Sequence, residues 1–310
     1  MDDGQTHLLE EHARRQLGRG DVHGAIETLR RALGEAPDEA ALHALLALAL
    51  LATRRRHAAR HEAEQAVLLE PEAPGALRTL GYVYLAFREL EAAREALQRA
   101  LDLEPDAPAS HLALGRLHAA AGRPAEARAA VARALLLDPG DPDTLVALGD
   151  LELEAGQREA ARARALEALR DAPEHEEALA LMGRLLLAEG RTEEAREHAL
   201  TILRQDAGSE AGLRLLCAAK ARRSLLLGLW WRWNAAMSSL GDGRSALVLV
   251  GLYVAQRLAV TALKDAGAVD AAAVASAAWI AFAAYTWIGP AVFAGSLQRE
   301  LASVRLRPDF

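Results

Sequence analysis

Residues 74–107 read PGALRTLGYVYLAFRELEAAREALQRALDLEPDA, and this stretch decides the fold. Early in its first half, Leu80 is followed by the small residue Gly81. Ala93 begins the second half, and another alanine, Ala100, recurs seven residues later. Pro105 cannot continue a helix and therefore ends the unit. The stretch predicts two antiparallel helices that approach closely where glycine or alanine removes side-chain bulk.

The same unit recurs with a period of 34 residues. Its prolines mark the period, and they are Pro37, Pro71, Pro105, Pro139 and Pro173. A fixed spacing over five units indicates a repeat array rather than a single globular core. The six predicted repeats are 6–39, 40–73, 74–107, 108–141, 142–175 and 176–209, and a seventh first helix is predicted at about 210–222.

Small residues recur at fixed places inside each unit. The second helices open with Ala25, Ala59, Ala93, Ala127, Ala161 and Ala195, and a second set follows at Ala32, Ala66, Ala100, Ala134 and Ala168. No helix pair of this kind buries its apolar face alone, so the units are expected to stack. Only 4% of the residues are aromatic, and alanine, leucine, arginine and glutamate dominate, which favours an all-α fold.

This pattern resembles the tetratricopeptide repeat family over about two thirds of the chain. The resemblance implies an all-α, right-handed superhelical solenoid of about six antiparallel helix pairs. The end units depart from the pattern, with His12-Ala13 in the first and Ala207 in place of proline in the sixth, as terminal repeats often do.

Members of that family bind a peptide or a partner helix in the concave groove lined by their first helices. The resemblance places Arg14, Arg78, Tyr82, Arg116, Asp150 and Arg184 in this groove, together with Glu154 and Glu177. The arginines are expected to bind carboxylates of a protein partner, and the alternative is that they only solvate the surface. The Lys/Asn set with which some members clamp acidic chaperone tails is missing, so that partner is not expected.

Charge divides the chain into two parts. Residues 221–310 hold nine of the 36 basic and five of the 43 acidic residues, which leaves 27 basic and 38 acidic residues in 1–220. An acidic array is unsuited to binding nucleic acid, because phosphate neutralisation needs clustered cations. The basic remainder fits contact with an anionic membrane surface.

No motif for catalysis or for a cofactor is present, so the chain is expected not to be an enzyme. Phosphate loops, nucleophile elbows and dinucleotide fingerprints are all missing. His57 and His61 are four residues apart, as a zinc pair requires, but neither a cysteine nor a third ligand accompanies them. Neither a metal nor a cofactor is therefore expected.

Residues 221–244 form a predicted interfacial segment between the array (1–220) and the C-terminal part (245–310). Trp230, Trp231, Arg232 and Trp233 have the composition of a membrane interface, where indole rings lie at headgroup depth and cations meet phosphates. The alternative interpretation is an aromatic cap on the last repeat.

Two apolar segments, Ser245–Leu263 and Ala271–Leu297, predict a C-terminal helical hairpin that spans a membrane. Arginines flank both ends of the hairpin, which predicts that the array faces the cytoplasm at a bacterial inner membrane. The objection is Arg257, because a charge inside a bilayer is costly. The alternatives are a buried hairpin, an oligomer interface, or a self-assembling membrane protein in which Arg257 serves a polar contact or a pore; the oligomeric state itself is not predicted.

Overall fold

The computed structural model of the chain describes residues 3–18, 20–223 and 242–284, and its regular elements over these residues are all helices. The helices are α1 Asp3–Gly18, α2 Val22–Glu35, α3 Ala40–Ala52, α4 Arg56–Leu69, α5 Pro74–Ala86, α6 Leu90–Leu103, α7 Pro108–Ala120, α8 Pro124–Leu137, α9 Pro142–Glu154, α10 Arg158–Asp171, α11 Glu176–Ala188, α12 Thr192–Gln205, α13 Glu210–Arg223 and α14 Asp242–Asp265. Residues 269–284 are also helical.

Helix boundaries follow the 34-residue period. From α3 to α13, each first helix begins 34 residues after the previous one. Pro74, Pro108 and Pro142 occupy first turns, where the missing N–H would have no helical partner. The periodic prolines lie in the turns after the second helices. The predicted helix pairs and the seventh first helix, α13, are therefore confirmed.

Small residues bring the two helices of a repeat together. At Gly115 in α7, an added Cβ would lie 2.5 Å from Val131 Cγ2 in α8 and 3.4 Å from the carbonyl oxygen of Ala127. Real Cβ atoms do not approach other atoms so closely, so glycine is required for this spacing. The predicted alanines of the second helices are likewise buried, with at most 1% exposure at Ala25, Ala32, Ala59, Ala66, Ala93, Ala100, Ala127, Ala134, Ala161, Ala168 and Ala195.

Leucines from both helices of a repeat complete the core. Leu42, Leu77 and Leu145 of the first helices are at most 1% exposed, and so are Leu29 and Leu97 of the second helices. One continuous cluster draws on residues from α1 through α5, which agrees with units that bury their apolar faces by stacking.

By their internal contacts the residues divide into two compact units, Met1–Leu185 and Leu186–Phe310. The first unit contains five complete helix pairs and most of α11. The second contains the end of α11, α12, α13 and the C-terminal helices. The predicted division at 220 and 244 stays a prediction.

In the second unit, α14 and the helix at 269–284 flank a turn at Gly267, whose φ is 77°. Tyr253 and Trp279 place their ring centroids 6.2 Å apart, and Val260 and Ala272 are buried. Within the described ranges, no helix has both the length and the apolar character that a membrane crossing requires.

The predicted transmembrane hairpin therefore gains no support from the described residues. Its second segment extends beyond them from residue 285 onward. Trp230, Trp231, Arg232 and Trp233 also lie outside the described residues, so the predicted membrane interface is not tested.

Candidate partner-binding groove

Five of the eight predicted groove residues share one position of the repeat. Counting by 34 from residue 14, this position is occupied by Arg14, Leu48, Tyr82, Arg116, Asp150 and Arg184, one in each first helix from α1 to α11. First helices of neighbouring repeats contact one another from α1 to α9. The side chains at this position therefore form a row across the first helices.

In the middle of the row, an aromatic ring, a cation and a carboxylate meet. The guanidinium of Arg116 lies 5.8 Å from the centroid of the Tyr82 ring, and Arg116 Nη2 donates to Asp143 Oδ1 at 3.0 Å. Burial raises the pKa of the Tyr82 hydroxyl, although the charge of Arg116 opposes this shift. The phenol is therefore neutral at physiological pH.

One repeat further, Asp150 of α9 accepts a hydrogen bond from the Nη2 of Arg184 in α11. Burial raises the pKa of Asp150, Arg184 lowers it, and the neighbouring Glu154 raises it again. Arg184 thus only partly offsets the unfavourable effect of burial and of Glu154 on the negative charge of Asp150.

At the first end of the row, Arg14 Nη2 donates to Glu10 Oε1 at 2.6 Å. Arg14, Arg116 and Arg184 therefore each pair with a carboxylate of this chain. A partner's carboxylate would have to compete for them, although such exposed pairs contribute only about 0–1 kcal/mol each. The side chain of Arg78 has no ion-pair or hydrogen-bond partner among the residues that the structure describes, so it is the most available cation of the predicted set.

Two cavities open along these helices. The first cavity has a volume of about 170 Å³ and contains Arg14, Ala40, Ala41, Ala44, Leu45, Leu48, Glu70, Ala73, Gly75, Ala76, Arg78 and Thr79. The second cavity has a volume of about 340 Å³ and contains Gly115, Arg116, Ala119, Val131, Val146, Ala147, Asp150, Leu151, Glu154 and Glu177. Arg14 and Arg78 thus line the smaller, alanine-rich cavity, and Arg116, Asp150, Glu154 and Glu177 line the wider, acidic one. Tyr82 and Arg184 line neither.

Sequence reasoning missed Asp143, the partner of Arg116. Asp143 and Glu177 are equivalent positions one period apart, in the first turns of α9 and α11. That equivalence is the signal that could have identified Asp143, because it repeats an acid at the start of successive first helices.

Three of the ten histidines, His43, His57 and His111, have structural partners. His57 packs its ring edge against Phe87, with centroids 5.3 Å apart. His43 Nε2 lies 2.9 Å from the carbonyl oxygen of Pro37, and His111 Nε2 lies 2.8 Å from that of Pro105. These two contacts occupy equivalent positions two periods apart and tie first helices to the turns before them.

Asp143, His175 and Glu177 place one donor atom each within 4.8 Å of one another. However, Arg116 already binds Asp143 Oδ1, and His175 Nδ1 accepts a hydrogen bond from the backbone N–H of Ala178 at 3.3 Å. The group therefore acts here as an ion pair and a helix cap, and the donor set is a poor fit to a metal ion.

A family model described as tetratricopeptide repeat matches residues 11–76, 45–108, 78–142 and 146–210. No curated protein matches the chain significantly. Among solved structures, a tetratricopeptide repeat protein from Parabacteroides merdae is 17% identical with a TM-score of 0.55, and the match covers 71% of this chain and 86% of that one. A thermophilic tetratricopeptide repeat protein of Thermus thermophilus is 26% identical with a TM-score of 0.53, over 59% of this chain and 98% of the other.

The family model covers well over half of the chain, and its matches coincide with the helix pairs between α1 and α12. The structural likenesses agree with this on the fold. The chain therefore belongs to the tetratricopeptide repeat family.

Proposed function

We propose that the chain is a non-catalytic scaffold that binds a protein partner through the row of first-helix side chains and the two cavities beside it. The main observation behind this proposal is the concentration of charged and aromatic residues at one repeat position, next to cavities that contain alanine and leucine. The repeat would fold equally well with alanine or leucine at this position, as Leu48 shows at the equivalent position in α3.

Site-directed photo-crosslinking tests the proposal. A photoreactive amino acid is placed at Leu48 or Ala147, which line the two cavities. Leu68 and Leu136 are matched control sites, since they lie on second helices with 71% and 75% exposure. We expect a shared adduct from both cavity sites in native cells, and no such adduct from the controls.

The triple substitution Arg78→Glu, Arg116→Glu and Arg184→Glu is the second arm. It should change the recovery of that partner while the far-ultraviolet circular dichroism of the chain stays the same. Equal crosslinking from the control sites, or unchanged recovery by the triple variant, would refute the groove as the binding surface.

A second proposal concerns the C-terminal helices. Large apolar side chains are exposed around α14 and along 269–284, namely Val248, Val250, Leu252, Tyr253, Val254, Leu258, Val269, Val274 and Ile280. Apolar side chains on all sides of a helix are typical of helices in an apolar environment. We infer that these helices attach the array to the inner membrane, with the repeats in the cytoplasm, and the basic composition of 221–310 supports contact with anionic lipid.

Cell fractionation distinguishes this from the alternative, self-assembly of the apolar helices. Membrane attachment predicts a pellet that resists carbonate and dissolves in detergent as a monomer. Release of the chain by carbonate alone would argue against attachment through the bilayer core, and a stable oligomer in detergent would favour self-assembly.

A further inference from the structure

The second cavity differs from the rest of the array at Glu154. This residue ends α9, and the equivalent positions of the neighbouring repeats hold Ala52, Ala86, Ala120 and Ala188. Alanine therefore satisfies the packing at this point of the repeat. A glutamate here is not explained by the fold, and it faces the cavity that also contains Asp150 and Glu177.

The charges of this cavity do not balance. Asp150 and Glu154 are four residues apart on one helix, a spacing at which like charges repel. Arg184 binds Asp150, but Glu154 has no ion-pair partner among the residues that the structure describes. The cavity wall therefore holds three carboxylates, and the two guanidinium groups near them already have partners, Arg116 with Asp143 and Arg184 with Asp150.

The rest of the wall is apolar. Ala119, Val146, Ala147 and Leu151 line the cavity between the charged groups. An aliphatic stem of three or four methylenes would fit along such a surface while its charged end reaches the carboxylates, which is how lysine and arginine bury their side chains. The cavity of about 340 Å³ is large enough for one such side chain.

We propose that the second cavity binds a lysine or arginine side chain of a protein partner, held by Asp150, Glu154 and Glu177. This inference rests on the proposed function of the groove and specifies the chemistry of its partner. The cation relieves the repulsion between Asp150 and Glu154, which no group of the free chain does fully. An acidic partner segment would instead add negative charge beside three carboxylates and would have to displace Asp143 from Arg116.

Paired peptides test the proposal on the intact chain. A synthetic peptide library is prepared in two forms that differ only in lysine or glutamate at one position, and binding is measured by fluorescence anisotropy. We expect the chain to prefer lysine forms. Glu154→Gln combined with Glu177→Gln should weaken binding of the lysine forms roughly tenfold, as expected for two partly exposed ion pairs of up to about 1 kcal/mol each.

Glu27→Gln combined with Glu95→Gln is the matched control. These two glutamates are exposed, occupy equivalent positions in the second helices α2 and α6, and change the net charge by the same amount. The control should leave the affinity for lysine forms within about twofold, because both residues lie outside the cavity.

Reversing the charge at residue 154 gives the most decisive test. Glu154→Lys should lose the lysine forms and gain the corresponding glutamate forms, which a general loss of stability cannot produce. A wild-type preference for glutamate forms that Arg78→Glu abolishes would overturn the cation-binding cavity and leave the groove proposal intact. Equal weak binding of both forms by wild type and by every groove variant would overturn both.

Discussion

One backbone position in each repeat requires a left-handed conformation. Positive φ values occur in the turn between the paired helices at Gly20, Arg54, Arg88, Gly122, Gly156 and Gly190, again at intervals of 34 residues. Glycine adopts this conformation without strain, whereas a residue with a Cβ is disfavoured by about 1–2 kcal/mol. Arg54 and Arg88, with φ of 59° and 60°, therefore carry strain that their equivalents avoid.

Arg88→Gly should stabilise the array. The exposed side chain of Arg88 has no ion-pair or hydrogen-bond partner among the described residues, so its removal sacrifices no such contact. We expect a gain of about 0.5–1 kcal/mol in the free energy of unfolding, since the relief of strain exceeds the entropy that glycine adds to the unfolded chain. Urea denaturation followed by circular dichroism measures it.

The control is Arg94→Gly in the middle of α6, which should lose about 1 kcal/mol because glycine is unfavourable inside helices. If Arg88→Gly were as destabilising as Arg94→Gly, the turn would not be strained.

His198 in α12 should make stability depend on pH. Burial lowers the pKa of this imidazole, and Glu197 and Glu194 only partly oppose the shift. The folded state therefore binds the proton less readily than the unfolded state, so stability is present above the unfolded pKa of about 6.5 and is lost as pH falls below it. His198→Gln should flatten this acid limb in urea titrations between about pH 7 and 5.

Substitution of the exposed His23 by glutamine provides the comparison for that experiment. The effect of His198→Gln on the slope of stability against pH is measured relative to this variant. An unchanged slope in His198→Gln would mean that another group governs the acid limb.

For the helices, the 34-residue period predicted the boundaries and the close contacts within each pair, which depend on local backbone geometry. It did not predict the side-chain contacts between repeats. The prolines and small residues place every helix from α2 to α13, because breaks and close approaches are properties of the backbone. The pairing of Arg116 with Asp143 joins residues of neighbouring repeats, 27 positions apart, and depends on how the first helices stack. The period places Arg54 and Arg88 at the turn position that glycine holds in the other repeats, but an arginine there does not itself indicate a left-handed conformation.

The helix α14 should tolerate polar substitution along its exposed side. Val250, Val254 and Leu258 are spaced by four residues and are 59%, 48% and 67% exposed. Changing all three to glutamine should alter thermal stability only slightly, because exposed substitutions usually stay within about 0.5 kcal/mol each. The same variant should reduce recovery of the chain in the carbonate-resistant pellet.

Val260→Gln tests the specificity of that result, because Val260 is only 5% exposed. It should disturb the packing of α14 and lower the melting temperature. Unchanged pelleting of the triple variant would count against the exposed side of α14 as the attachment surface.

Across the whole molecule, the charges are arranged to attract cations toward the array. Residues 1–220 hold 38 acidic and 27 basic residues, whereas residues 221–310 hold an excess of basic ones. A surplus of one sign accelerates the encounter with oppositely charged partners and is screened by salt over about 10 Å at 0.1 M. The long-range attraction of a cationic partner therefore comes from the net charge of the array, whereas its retention comes from contacts in the second cavity.

Binding kinetics of a lysine-form peptide should separate these two contributions. Glu27→Gln with Glu95→Gln and Glu154→Gln with Glu177→Gln remove the same charge, so both pairs should lower the association rate by a similar, salt-dependent factor of about two or less. Only Glu154→Gln with Glu177→Gln should also raise the dissociation rate of the peptide, by roughly fivefold to tenfold, because contacts made in the bound state govern dissociation. Stopped-flow fluorescence at two salt concentrations measures both rates. Equal dissociation rates for the two pairs would mean that the acidic surface as a whole attracts the peptide and that the second cavity does not hold its cation.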